Sequence, residues 1–164
     1  MAIIVESGTI VAGANSYVSE AELTSYATAR GVTLTGTPES LLIKAMDYVE
    51  TQPFIGTKLT RDQPLQWPRS GVVIDGWSYP PSEIPDELKT AQMTVALAID
   101  EGNDPLAPVS PAIKRKRVKA DTVESETEYQ DGAPASSFSV AIGRSFAKLT
   151  TTGGGASQFA VRRG

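Results

Sequence analysis

The sequence predicts a mainly α fold: a small helical bundle with a long Trp/Pro-rich connecting loop, a β-hairpin, and extended N- and C-terminal arms. Three observations carry that prediction. Apolar residues recur at helical spacing between start and stop signals in several segments. Both tryptophans and five of the eleven prolines crowd into residues 63–85, where neither a long helix nor a long strand can run. Residues 113–129 alternate as two paired strands would. The expected organisation is an arm over 1–18, a bundle domain over 19–150 with the hairpin near 113–129, and a Gly-rich hinge and tail over 151–164. At 164 residues and 40% apolar composition, one domain with an ordinary core is expected.

The first segment, "IIVESGTIVAGANSY", holds two short β-branched runs broken by Gly8 and Gly13 and reads as an extended arm with turns. A first helix is predicted over 19–30. Ser19 followed by Glu22 is a capping-box pattern; Leu23, Tyr26, Ala27 and Arg30 follow at helical spacing, and Gly31 is the stop. A second helix opens with Thr37 as N-cap and Pro38 at the first helical position, where its missing N–H costs nothing. Its apolar face is Leu41, Leu42, Ala45, Met46 and Val49, and Pro53 ends it. A third starts near Pro85, with Asp86 and Glu87 favourably placed at the positive end of the helix dipole and Gly102 as the stop. Leu88, Ala91, Val95, Ala98 and Ile99 form its main stripe, widened by Met93 and Leu97. Near the C-terminus, Phe138, Ala141, Ile142, Ser145, Phe146 and Leu149 share a helical face of about three turns.

Composition excludes several kinds of chemistry. The chain has no cysteine and no histidine, which removes disulfides, thiolate metal sites, Ser/His/Asp and Cys/His catalysis, and the commonest acid/base near neutral pH. A formal charge of -4 argues against coating a nucleic acid by phosphate neutralisation, although local basic patches stay open. No apolar run reaches membrane-spanning length and the start lacks a signal-peptide pattern, so a cytosolic, non-membrane protein is expected.

The charged candidates lie together. Lys114, Arg115, Lys116, Arg117 and Lys119 form a basic run, followed by Glu124, Glu126 and Glu128. A turn at Ala120-Asp121 would set Arg117 opposite Glu124, Arg115 opposite Glu126 and Val118 opposite Val123, so cross-strand ion pairs account for much of this charge without a ligand. The carboxylates match no EF-hand or glycosidase spacing, and "TTGGGAS" lacks the Lys that a phosphate loop requires. Trp67, Trp77 and Tyr79 could stack bases, but the adjoining prolines favour them as structural anchors pinning a stiff elbow to the bundle.

Taken together, "IIVESGT", "GANSYVSEAELTSYATARG", "LLIKAMDYVE", "PLQWPRSGVVIDGWSYPPSEIPDELKTAQMTVAL", the charged strand pair and the Gly-rich, Arg-ending tail resemble the small neck proteins of tailed phages, in the head-tail connector (adaptor) group. These are often labelled DnaT-like single-stranded-DNA-binding proteins. The resemblance runs over nearly the whole chain, and "WPRSG" with "IPDELKTAQ" is its most specific block. It implies a non-enzymatic virion protein without cofactors, assembled in the host cytoplasm into a dodecameric ring under the portal protein. Such a ring extends the DNA channel, passes double-stranded DNA without reading its sequence, and joins the head to the next neck or tail-completion protein. By position, it also implies that Gln158, Phe159, Ala160, Val161, Arg162 and Arg163 dock on the portal, and that the charges of 114–128 face a neighbouring subunit or the DNA. The alternative is a DnaT-like single-stranded-DNA-binding module, motivated by the basic run and the aromatic segment.

Overall fold

A computed structural model of the chain describes residues 2–106, 113–119, 124–129 and 137–151. Its elements in chain order are α1 (Glu20–Thr28), α2 (Pro38–Val49), β1 (Thr57–Lys58), β2 (Arg69–Ser70), β3 (Val73–Ile74), β4 (Trp77–Ser78), α3 (Asp86–Asp100), β5 (Ile113–Lys119), β6 (Glu124–Tyr129) and α4 (Ser137–Phe146). The strands form three separate two-stranded antiparallel pairs, β1–β2, β3–β4 and β5–β6. Helices supply most of the core, yet the fold is mixed, with small sheets where the sequence predicted only a loop.

The α3 helix is the centre of the bundle, packing on α2 to one side and α4 to the other, while α1 leans chiefly on α2. The periodicities explain this. All five predicted apolar positions of α2 are buried, as are Leu88, Ala91, Val95 and Ala98 of α3 and Ile142 and Phe146 of α4. Each large aliphatic side chain removed from water in this way contributes roughly 1.5–3 kcal/mol. The Ser19 hydroxyl accepts from the Glu22 N–H at 3.2 Å and the Glu22 carboxylate accepts from the Ser19 N–H at 2.7 Å, a complete capping box. Two start signals work differently from expectation. Thr37 stands at the N-cap of α2 without a side-chain cap bond, and Pro85 is itself the N-cap of α3. The α1 helix also stops at Thr28, before Arg30, whose guanidinium lies 3.3 Å over the Tyr26 ring instead of continuing the buried stripe.

Residues 2–18, expected as an extended arm, fold back on themselves and onto α3. The Glu6 N–H donates to the Ser16 carbonyl at 2.8 Å, while its buried carboxylate accepts from the N–H groups of Gly8, Ile10 and Val11. Three donors on one carboxylate hold the loop closed, as an anion does in a backbone nest. Gln92, fully buried on α3, completes the attachment, accepting from the Tyr17 N–H at 2.9 Å and donating to the Ser16 hydroxyl at 2.8 Å. Gly8 has φ +102, and a Cβ there would run into the Ser82 carbonyl, so the loop approaches the segment before α3 more closely than any side chain permits.

The Trp/Pro-rich stretch is also more regular than predicted. Asp75 and Gly76 both have positive φ (51° and 86°), and β3 and β4 pair across them, Ile74 opposite Trp77. Asp-Gly is a preferred pair for a two-residue hairpin turn because both central residues must take left-handed conformations. That signal is present in "VVIDGWSY" and marks a hairpin that the density of prolines obscured.

Candidate nucleic-acid interface

Both tryptophans were expected to be anchors; only one is. Trp67 is 0% exposed, edge-on to Phe54 (centroids 6.0 Å apart) and to Tyr79 (6.4 Å). Trp77 is 80% exposed, a correction to its expected role. The hairpin is only two residues deep on each side; its Ile74 joins the core, while Trp77 opposite it stays in solvent. Tyr79, half-buried against the core, occupies the edge of Trp67.

The backbone around Trp67 is held by a charged network that sequence patterns did not reveal. The Tyr17 hydroxyl donates to Glu50 Oε1 at 2.7 Å and accepts from the Trp67 N–H at 3.1 Å, while Glu50 Oε2 accepts from the Gln66 N–H at 2.8 Å. Burial, reinforced by the Glu50 charge, pushes the Tyr17 hydroxyl far above its ordinary range, so it stays a donor. Burial also raises the Glu50 carboxyl, against the hydrogen bonds from Tyr17 and Gln66 that pull it down. The Arg69 guanidinium donates to the carbonyls of Ile55 (2.7 Å), Gly56 (2.7 Å), Phe54 (3.3 Å) and Gln66 (3.2 Å). The "WPR" block is thus a packing plug followed by a carbonyl clamp, and its planar fork of donors suits arginine and not lysine. Only Tyr17, Glu50 and Arg69 taken in three dimensions disclose this; they are 33 and 19 residues apart along the chain.

Among the described residues, two surfaces bring cations together where a nucleic acid could lie. An open groove of about 600 Å³ between α1 and α3 is lined by Tyr26, Arg30 and Lys89, but also by Glu22 and Asp86. Its charges cancel, and Arg30 already covers the Tyr26 face on which a base would stack. The other surface is the β5–β6 ribbon. Its register sets Lys119 opposite Glu124, Arg117 opposite Glu126, Val118 opposite Ser125, Lys116 opposite Thr127 and Arg115 opposite Glu128, with an irregularity between Ile113 and Arg115. The expected pairs are therefore displaced by two residues. Four residues, 120–123, separate the strands where a two-residue turn was predicted, and Ala-Asp is poorly suited to the left-handed conformations of such a turn. A shift of two keeps residues 115–119 on their predicted faces, and the parity changes at the irregularity before them. By strand alternation, Arg115, Arg117 and Lys119 share one face with Glu124, Glu126 and Glu128, and Lys116 and Val118 share the other with Thr127 and Ser125; Lys114 falls at the irregularity and has no residue opposite it.

A family model described as "Putative DnaT-like ssDNA binding protein" matches residues 1–164. The chain belongs to this DnaT-like family. No curated protein and no solved structure matches it. Of the residues that the sequence singled out in this DnaT-like chain, Lys114, Arg115, Lys116, Arg117, Lys119, Glu124, Glu126 and Glu128 come together on one ribbon. Trp67 and Tyr79 meet elsewhere, and Trp77 stands apart. Gln158, Phe159, Ala160, Val161, Arg162 and Arg163 lie outside the described residues. Among the described residues no group of three carboxylates is gathered as a metal site, and no helix is long and apolar enough to cross a membrane.

Proposed function

We propose that this DnaT-like family member is a non-enzymatic module that binds single-stranded DNA through Lys114 and Lys116, the two cations of the ribbon that the register sets opposite no glutamate. The observation that supports this is the register: it opposes three of the five cations with glutamates, sets Lys116 opposite Thr127 and pairs Lys114, at the irregularity, with no residue of the other strand. Phosphate attracts cations that no carboxylate already neutralises. Two phosphate contacts make binding weak and salt-dependent, with a log-log slope of roughly -1.4. Fluorescence anisotropy of a labelled oligo-dT strand tests it: a Lys114→Thr/Lys116→Thr variant should lose that slope and bind at least tenfold more weakly at low salt (an order-of-magnitude expectation). Equal binding by variant and wild type would rule out these lysines as the site.

A second reading, the dodecameric head-tail adaptor of the virion neck, is favoured by a different observation. Trp67 is sealed in the core and closed to base stacking, so the aromatic segment that motivates single-strand binding keeps Trp77 as its one exposed tryptophan. In this reading the tail residues Gln158 to Arg163 dock on the portal. Negative-stain imaging with portal separates the two. A ring seated on the portal, lost when residues 156–164 are removed, supports the adaptor; a monomer that ignores the portal yet binds single strands supports the first reading.

A further inference from the structure

The β5–β6 ribbon touches no other element among the described residues. A lone two-stranded ribbon is at best marginally stable in water; among the described residues neither strand pairs with a third, and outer edges of this kind invite a further strand. The edges differ in charge. The β5 edge belongs to a strand with Lys114, Arg115, Lys116, Arg117 and Lys119 and no acid; the β6 edge belongs to one with Glu124, Glu126 and Glu128 and no base.

We propose that the ribbon joins copies of this chain head to tail, the acidic β6 edge of one copy pairing with the basic β5 edge of the next. Charge decides which edges can meet. Two β5 edges together would oppose cation with cation, and two β6 edges would oppose glutamate with glutamate, both destabilising arrangements. Only β6 against β5 repeats, between copies, the alternation that the ribbon has within one copy. The symmetric two-copy contact is thereby excluded, and the joint is heterologous, propagating into a ring if its rotation closes and a filament if it does not. Backbone pairing supplies the attraction and the charge pattern the choice of edge, as in other strand-addition interfaces. The proposal concerns the ribbon's edges and stands whether or not Lys114 and Lys116 meet DNA.

The chain has no cysteine, so single thiols report contacts without background. Two proteins are made, Val118→Cys and Ser125→Cys, one uncharged position on each strand, opposite one another in the ribbon, so that every charge stays in place. Far-UV circular dichroism confirms that both keep the helical signal. They are treated with a short bis-maleimide, separately and mixed, in low salt without DNA. The expected result is a mixed dimer roughly tenfold more abundant than either self-coupled dimer, from about three opposite-charge pairs at the joint. Adding Arg115→Glu, Arg117→Glu and Lys119→Glu to the Val118→Cys protein should remove the mixed product. Self-coupled dimers in equal or greater yield, no coupling, or coupling that survives the charge reversal would each overturn the proposal. Because Lys114 and Lys116 are untouched and DNA is absent, failure here would leave the DNA-binding reading standing.

Discussion

Arg69 and Arg117 carry the same guanidinium to opposite ends. Arg69 is buried among four backbone carbonyls, with Glu50 and Tyr17 nearby, and holds the Trp67 elbow in place. Arg117 sits on a ribbon that contacts no other described element, opposite Glu126. In the first region charge is inseparable from the core; in the second it is set out by strand register alone. The lesson is that a charged residue's role follows from what surrounds its backbone, and that ranking the two regions by substitution is a direct way to challenge the distinction.

The largest effect is expected at Trp67. Trp67→Ala should lower stability by about 3–5 kcal/mol in urea melts, since it empties a site lined by Phe54 and Tyr79. Arg69→Ala should cost about 2–3 kcal/mol, because carbonyls of Ile55 and Gly56 lose their partner in a part-buried place. A loss below about 0.5 kcal/mol there, the range of ordinary surface changes, would erase the contrast with the ribbon.

Acid sharpens the picture through two carboxyl groups displaced in opposite directions from their ordinary range. Glu50 is raised from 4.5 by burial, so the folded state holds its proton longer than the unfolded chain, and stability contributed by this site falls as pH rises through the window above 4.5. Asp100 is lowered from 3.8 by N–H groups of Thr35 and Gly36, so its contribution is present above that value and is lost as pH falls below it. Urea melts from pH 3 to pH 7 should show the decline above 4.5 flattened in Glu50→Gln and the acid loss reduced in Asp100→Asn. An unchanged profile in Glu50→Gln would mean that the buried network does not shift this carboxyl.

On the ribbon, Glu126→Ala should change global stability by only about 0.2–1 kcal/mol in thermal melts. The smallest effect belongs to Trp77→Phe, within about 0.5 kcal/mol. That same variant should abolish most iodide quenching of tryptophan fluorescence, because the remaining Trp67 is sealed from solvent. Strong quenching in Trp77→Phe would show that the elbow opens.

Much of the helical skeleton was legible because its signals are local. Ser19 and Glu22, Pro38, and the apolar spacings of α2, α3 and α4 act within a few residues, and a 3.6-residue period identifies the buried face directly. The Asp75-Gly76 hairpin was equally local but was masked by the expectation that a proline-rich stretch is irregular. The folded-back N-terminal loop was not legible, since it depends on Glu6 meeting three N–H groups and on Gln92, which arrives from 76 residues beyond Ser16. Nor could periodicity separate Trp67 from Trp77, because burial of an aromatic ring outside a helix depends on which neighbours come within reach.

By itself the sequence determined the helices, the face each one buries, the absence of histidine and cysteine chemistry, and a charged strand pair whose parity over 115–119 survived a displacement of two residues. Those properties rest on short-range geometry and on residue types, which need no distant partner. Tertiary structure alone decided which tryptophan is core and which is surface, why the arginine of "WPRSG" suits its carbonyl clamp, and which lysine of the basic run faces a threonine instead of a glutamate. Each of these depends on groups brought together from distant parts of the chain or on the register of two strands, and a buried carbonyl or an opposing carboxylate is visible only once the chain has folded.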